Sequence, residues 1–237
     1  MTLPTSLSEA RNRFKRHLDN CNWSELTAGR KRILEVFLRL ASIEGYSAVT
    51  MRTLAKEANV KAASIYFHFP DGRSDIVAQS LRWHYSNWGY SILEAIDKVS
   101  EPEQFWDALV SAVARCQISI PASDLWDLLV RMDRVGGFLE AEFRQEIDHW
   151  LDLCTDLFQA SAEAIGYAVD RSRIKMIMSI LDAGSNWSQW DGDASDLDAI
   201  AEQAITVSRA VLAAPTGSLR RATSPDEAAI ETSRKRL

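Results

Sequence analysis

The chain has 237 residues, 46% of them apolar and 25% charged, enough for one large domain or two small ones with a buried core. No apolar run approaches the roughly 20 residues that span a bilayer, and the opening stretch MTLPTSLSEARNRFKRHL lacks the apolar segment of a secretory signal. The three cysteines, Cys21, Cys116 and Cys154, form no CxxC pair, and the four histidines show no metal-ligand spacing. These features argue against a disulfide framework or zinc site and for reduced thiols in a cytoplasmic protein.

The net charge of −6 is unevenly spread. Residues 1–73 carry twelve Lys and Arg against seven Asp and Glu, residues 74–214 carry ten against twenty-three, and residues 215–237 carry five against three. A basic front on an acidic body points to a polyanionic partner for the front alone.

In chain order, residues 1–24 mix Ser, Arg, Lys and Asn and read as a loose or weakly helical basic arm. Ile33, Leu34, Phe37, Leu40, Ala41 and Ile43 then recur at helical spacing, with Thr27 placed to cap that helix and Gly45 to stop it. Thr50 opens a short helix whose apolar face is Met51, Leu54, Ala55 and Ala58, and Asn59 suits a left-handed turn. A third short helix, about Ala62 to Phe69, is stopped by Pro70-Asp71-Gly72.

Beyond this turn the helices lengthen. Ser74 or Asp75 opens one that runs to about residue 98 through Val77, Leu81, Trp88, Ile92 and Ile96. Ser100-Glu101-Pro102-Glu103 reads as a capping box for the next, which Pro121 breaks. Further helices are expected from Ser123 or Asp124 to Val135, from about Leu139 to Ile165, from Asp170 to Trp187–Trp190, and from Ser195 through Val211. Residues after Pro215 are polar and rich in Arg, Ser and Thr, the composition of a disordered tail. The expected fold is all-α, with about nine helices. A basic arm (1–24) would precede a three-helix unit (25–73), a helical body (74–214) and a tail (215–237).

Two short helices joined by a tight turn after a longer one make a helix-turn-helix, which lays its last helix in the major groove. Thr50 would cap its helix and leave an N-terminus that attracts phosphate, with Arg52 in reach of the DNA backbone. The run Ile65-Tyr66-Phe67-His68-Phe69 has more rings than one inward stripe can hold. Ile65 and Phe69, at i,i+4, fit the core. Tyr66 and His68 then face outward, where a hydroxyl and an imidazole N–H can bond phosphate, and Phe67 fits either side. Lys61, Ala62, Ala63 and Ser64 lead the helix into the groove, the alanines suited to thymine methyls and the other two to donating hydrogen bonds. Arg73 reads as a phosphate clamp. A packed aromatic cluster is the other reading of Tyr66 and His68. The basic run Ala10–Arg16 fits a minor groove or a solvated tail equally.

The segment from about Thr27 to Leu81, a quarter of the chain, resembles the DNA-binding domain of the TetR family of bacterial transcriptional regulators. The resemblance rests on Ile33-Leu34, Gly45-Tyr46, Thr50-Met51-Arg52, Leu54-Ala55, Ala58, Val60, Ile65-Tyr66-Phe67-His68-Phe69 and the Pro-Asp-Gly-Arg turn, all at the family's spacing without a gap. Asn59 departs from a usual Gly, Lys61 from a usual Ser or Thr, and Phe67 from a common Tyr or His. The resemblance implies a homodimer that binds a double-stranded, palindrome-like operator and is released by a small-molecule effector. It also implies that helices near 170–188 and 195–213 form the dimer interface.

Trp106, Trp126, Phe143, Trp150 and Phe158 fall on helices that resemble the family's ligand cavity. With Met132 and Cys154 they suggest an apolar effector pocket, with Arg131 or Arg134 as a guess for an acidic ligand head. The carboxylates of Asp124-Leu125-Trp126-Asp127 read as solvated. No Ser-His-Asp set, Gly-rich phosphate loop or DDxxD cluster is present, so the expectation is a regulator without a cofactor, not an enzyme. An all-helical small-molecule carrier or enzyme without specific DNA binding is the alternative.

Overall fold

The computed structural model describes residues 3–21, 23 and 26–215, and among them eleven α-helices and no β-strand. The expected tail beyond Pro215 lies outside the described residues. Two helices more than expected are found, one at the N-terminus and one short turn near residue 186.

The N-terminal segment corrects the sequence reading. Residues expected to form a loose or weakly helical arm make a full helix, α1, Thr5–Asn20, packed into the core. Leu7, Ala10, Phe14 and Leu18 recur every three or four residues and are all buried against α5 (Arg73–Ile96) and α8 (Ala141–Ala164). The Phe14 and Trp150 ring centroids lie 4.8 Å apart. Gly89 permits this close approach, because a Cβ there would come within 2.8 Å of both Leu18 and Trp150. Two basic side chains of α1 meet body carboxylates: Arg11 Nε donates to Asp97 Oδ1 at 2.7 Å, and Arg13 lies 3.7 Å from Asp156, while Lys15 pairs with Asp19 within the helix. A stripe of four apolar residues is too narrow to hold a helix in water, and the groove that receives it supplies the stability.

The three-helix unit is α2 (Ala28–Glu44), α3 (Met51–Ala58) and α4 (Ala62–His68). Thr27 caps α2 by accepting from the Arg30 amide at 3.3 Å. Gly45 ends α2 at φ +86°, and Asn59 ends α3 in the left-handed region at φ 56°, ψ 46°. Ile43, expected on the inward stripe, is exposed.

In the body, α6 (Pro102–Ser119) and α7 (Pro121–Gly136) begin at prolines. Proline suits the first helical position because its missing N–H has no intrahelical partner there. Ser100 and Ser123 are therefore not the caps expected: Glu101 and Ile120 hold those positions, and Ser123 Oγ donates to the Cys116 carbonyl instead. Next come α9 (Arg171–Asp182), the five-residue α10 (Gly184–Ser188) and α11 (Asp196–Ala213). Asp170 caps α9 through the Arg173 amide at 2.8 Å.

Two apolar clusters hold these elements. One joins α1, the later part of α5, α6, α8, α9 and α11. The other gathers α2, α3, α4 and the start of α5, and completes itself with Leu125 and Leu129 of α7, Leu139, and Phe143 and Ile147 of α8. The three-helix unit thus shares its core with the body, as its small size requires. Within the body, Arg82 links α5 to α8: its Nε donates to both carboxylate oxygens of Glu146 at 2.9 and 2.8 Å, and Tyr85 donates to the same group at 2.6 Å. No described helix is long and apolar enough to cross a membrane.

Candidate nucleic-acid interface and an interior cavity

The start of α3 is fixed by a reciprocal pair of threonines. Thr50 Oγ1 accepts from the Thr53 amide at 3.1 Å, and Thr53 Oγ1 accepts from the Thr50 amide at 2.8 Å. This capping box leaves the Met51 and Arg52 amides at an exposed helix end, with the Arg52 side chain also exposed.

On α4, Ile65 and Phe69 are fully buried, and the face opposite carries the remaining rings. Tyr66 is 51% exposed and Phe67 82%. A ring that exposed costs apolar hydration with no return from the fold itself. Lys61, Ala62 and Ala63 are exposed beside them, and Ser64 is half-buried. Lys61 occupies the N-cap of α4, where a donor-only ammonium cannot accept from the helix amides, so α4 has no side-chain cap bond. His68 is half-buried. Its Nε2 sits 3.1 Å from where a Cβ on Gly29 would be, so the ring rests on the first turn of α2.

Arg73 corrects the sequence reading. Its guanidinium turns inward, donating to the Tyr46 carbonyl at 2.6 Å and to the Val49 carbonyl, with its carbon 4.5 Å from the Tyr46 ring centroid. A planar fork stacked on a ring and bonded to two carbonyls is a clamp on the chain leading into Thr50. Arg73 therefore sets the position of α3 and does not reach out to phosphate.

The seven residues expected to line an effector pocket do not converge. Trp126, Trp150 and Cys154 line one interior cavity of about 60 Å³ between α5, α6, α7, α8 and α9. Trp106 and Phe158 pack edge to face at 5.8 Å in the α6–α8 core, with Trp106 Nε1 donating to Ser208 Oγ of α11 at 3.2 Å. Phe143 lies under the Arg82 guanidinium, beside a separate cleft next to the three-helix unit, and Met132 is 45% exposed.

Nor is the cavity purely apolar. Asp127 and Asp182 line it. Burial pushes Asp182 up to about 7, with the Asp127 charge adding to the effect, and pushes Asp127 up to about 6. The reading of Asp127 as solvated is thus corrected. The guess of an acidic ligand head on Arg131 or Arg134 fails as well: both side chains are exposed, and neither lines the cavity.

Residues 33–79 match the family described as bacterial regulatory proteins, tetR family. The N-terminal domain belongs to the TetR family. Two curated relatives share more of the chain. The HTH-type transcriptional repressor KstR of Mycolicibacterium smegmatis is 29% identical over 129 residues, 54% of this chain and 60% of that protein. The HTH-type transcriptional regulator LmrA of Bacillus subtilis is 23% identical over 120 residues, 51% of this chain and 63% of that protein. The chain thus spans less than two thirds of the length of either relative. Among solved structures, a tetR-family regulatory protein from Rhodococcus RHA1 superposes with a TM-score of 0.66 at 16% identity, covering 79% of this chain and 98% of that one. This similarity extends the TetR-like fold into the helical body.

The helix-turn-helix of the TetR domain was legible because its ring excess, caps and turn are local signals. Of the cavity residues, His84, Tyr85 and Asp182 were not singled out and Asp127 was read as solvated. They lie on α5, α7 and α9, and only the packing of these helices brings them together.

Proposed function

We propose that the protein is a ligand-responsive transcriptional repressor that binds a palindrome-like operator as a homodimer and releases it when a small effector enters the helical body. The observation that carries this reading is the outward display of Tyr66 and Phe67 on a helix whose Ile65 and Phe69 are fully buried. Thr50, Arg52, Lys61, Ala62, Ala63, Ser64, Tyr66 and Phe67 form the DNA-contacting set, with His68 at its edge and Arg73 holding α3 from behind. The name of the mycobacterial relative, a repressor, supports the sign of regulation.

Dimerisation through α9, α10 and α11 would cover Met176 and Val207, which are 57% and 36% exposed on the single chain. The division into a DNA unit (25–73) and an effector and dimer domain (74–214) follows from this reading. Coupling is mechanical. The helix α5 starts at Arg73, against the DNA unit, and continues to His84, Tyr85 and Trp88 at the cavity. Recognition helices must sit about 34–36 Å apart to engage both half-sites, so a shift of α5 in each protomer costs contacts on both. The effector acts by binding the DNA-incompetent arrangement more tightly.

The test is selection of the full chain against a pool of random DNA duplexes. An inverted repeat should be enriched, and Tyr66→Ala or Arg52→Ala should weaken binding to it while leaving dimer and helicity intact. No enrichment at low salt by a folded dimer would end the reading. Unchanged binding by both variants would end the contact assignment.

A further inference from the structure

The interior cavity has the wrong chemistry for a purely apolar ligand. Gln117 Nε2 donates to Asp127 Oδ2 at 2.8 Å and to the Asp182 main-chain carbonyl at 3.0 Å. The Asp182 carboxylate accepts no hydrogen bond from the described residues, although it lines the cavity. On the facing helix, His84 is only 6% exposed, lines the same cavity and has no hydrogen-bond partner among the described residues. Burial lowers this imidazole to about 4, so the ring is neutral and offers one nitrogen as an acceptor. Rings close the remaining walls: Tyr85 and Trp126 meet edge to face at 5.8 Å, and Trp88 and Trp150 at 6.0 Å.

Two half-buried carboxyls that line one cavity and repel each other favour either holding protons or meeting a positive charge. Asp124 aggravates the crowding around Asp127. Arg131, one turn beyond Asp127, relieves both acids, but from the exposed side of α7. The interior side has no cation among the described residues.

We propose that this cavity receives the ammonium head of a small organic cation, with Asp127 and Asp182 as counter-charges, His84 as hydrogen-bond acceptor and the flanking rings as a cation–π wall. The proposal rests on reading the body as effector-binding. A protonated amine answers each feature at once: its positive charge displaces the protons held by the acids, its N–H groups reach the unpartnered acceptors, and its carbon lies on the rings. A neutral head would leave the acids unpaired, and an anionic head would add a third negative charge. A volume of about 60 Å³ suits a head group and not a whole ligand, so the ligand's body must displace part of the wall. Met178, unbranched and adaptable, is the side chain best able to yield.

The test is calorimetric titration of the full chain, free of DNA, with phenethylammonium, 2-phenylethanol and phenylacetate, which share one body and carry positive, neutral and negative heads. Methylammonium serves as the head alone. Phenethylammonium should bind at least about tenfold more tightly than the alcohol, and phenylacetate should bind most weakly. The double variant Asp127→Asn/Asp182→Asn keeps the shape of both side chains and should erase that preference. Equal or tighter binding of the alcohol or the acid by the wild-type chain overturns the proposal. So does the absence of heat from both ammonium compounds at millimolar concentration, or a preference that survives in a double variant with wild-type circular dichroism. Duplex selection is read separately. Enrichment without amine binding defeats the cation site alone; amine binding without enrichment defeats the regulator reading alone.

Discussion

Arg73 shows how one side chain can be assigned to the wrong partner. A cation just after a helix-turn-helix invites pairing with phosphate, yet here its fork is satisfied by the Tyr46 and Val49 carbonyls. Hydrogen bonds from a charged group are worth about 1.5–3 kcal/mol. Arg73→Ala should therefore lower unfolding stability by about that much as well as weaken operator binding. Arg73→Lys should not restore either, because a point charge cannot serve two carbonyls and a ring. A phosphate clamp would instead lose affinity at unchanged stability; urea unfolding beside gel shifts distinguishes the two. Asp182 gives a second residue-scale expectation. Burial raises it to about 7 from an ordinary 3.8. A carboxyl raised in the folded state favours folding at acid pH and loses that contribution as pH climbs through its folded value. Asp182→Asn should then melt about 3–6 °C above the wild type at pH 8, where the charge is present. The gap should narrow toward pH 5 and vanish only below the unfolded value of 3.8. Equal midpoints at both pH values would mean that the carboxyl is solvated.

At the scale of elements, α1 and α4 make opposite use of large side chains. In α4, rings exceed what the core can take, and the excess faces solvent. In α1 the apolar residues are few, but every one is buried. The basic composition of α1 concealed this, because Arg11 and Arg13 are matched by Asp97 and Asp156, residues distant in sequence. Phe14→Ala should cost about 3–5 kcal/mol of unfolding stability, the usual penalty for emptying a buried aromatic site. A shift below about 0.5 kcal/mol, typical of surface positions, would return α1 to the status of an arm. The two proline starts carry a similar lesson: Pro121 breaks α6 and in the same step opens α7.

For the whole molecule, charge is segregated along the chain and the fold preserves that segregation. The basic excess of residues 1–73 belongs partly to α1, where Arg11 and Arg13 meet body carboxylates, so under the proposed function the charge offered to DNA is that of exposed residues such as Arg52 and Lys61. A dimer with two or three such contacts per half-site should show a logarithmic salt slope on the order of −4 to −6. A flat salt dependence of duplex binding would remove phosphate contact from the reading. The shared core of the three-helix unit with α7 and α8 makes body and DNA unit one mechanical piece. The acidic cavity between α5, α6, α7, α8 and α9 borders that piece through Trp126 and Leu151.

The sequence by itself determined the all-α class, the three-helix unit with its caps and left-handed Asn59, the inward pair Ile65 and Phe69, and the family resemblance. All of these rest on signals within a few residues of one another: periodicity, capping hydroxyls and turn formers. Only the tertiary structure decided that the arm is a core helix, that Arg73 faces inward, that seven apolar residues do not form one pocket, and that two acids share a cavity. Those outcomes depend on which helices meet, and contacts between residues tens of positions apart leave no local periodic trace in a single chain.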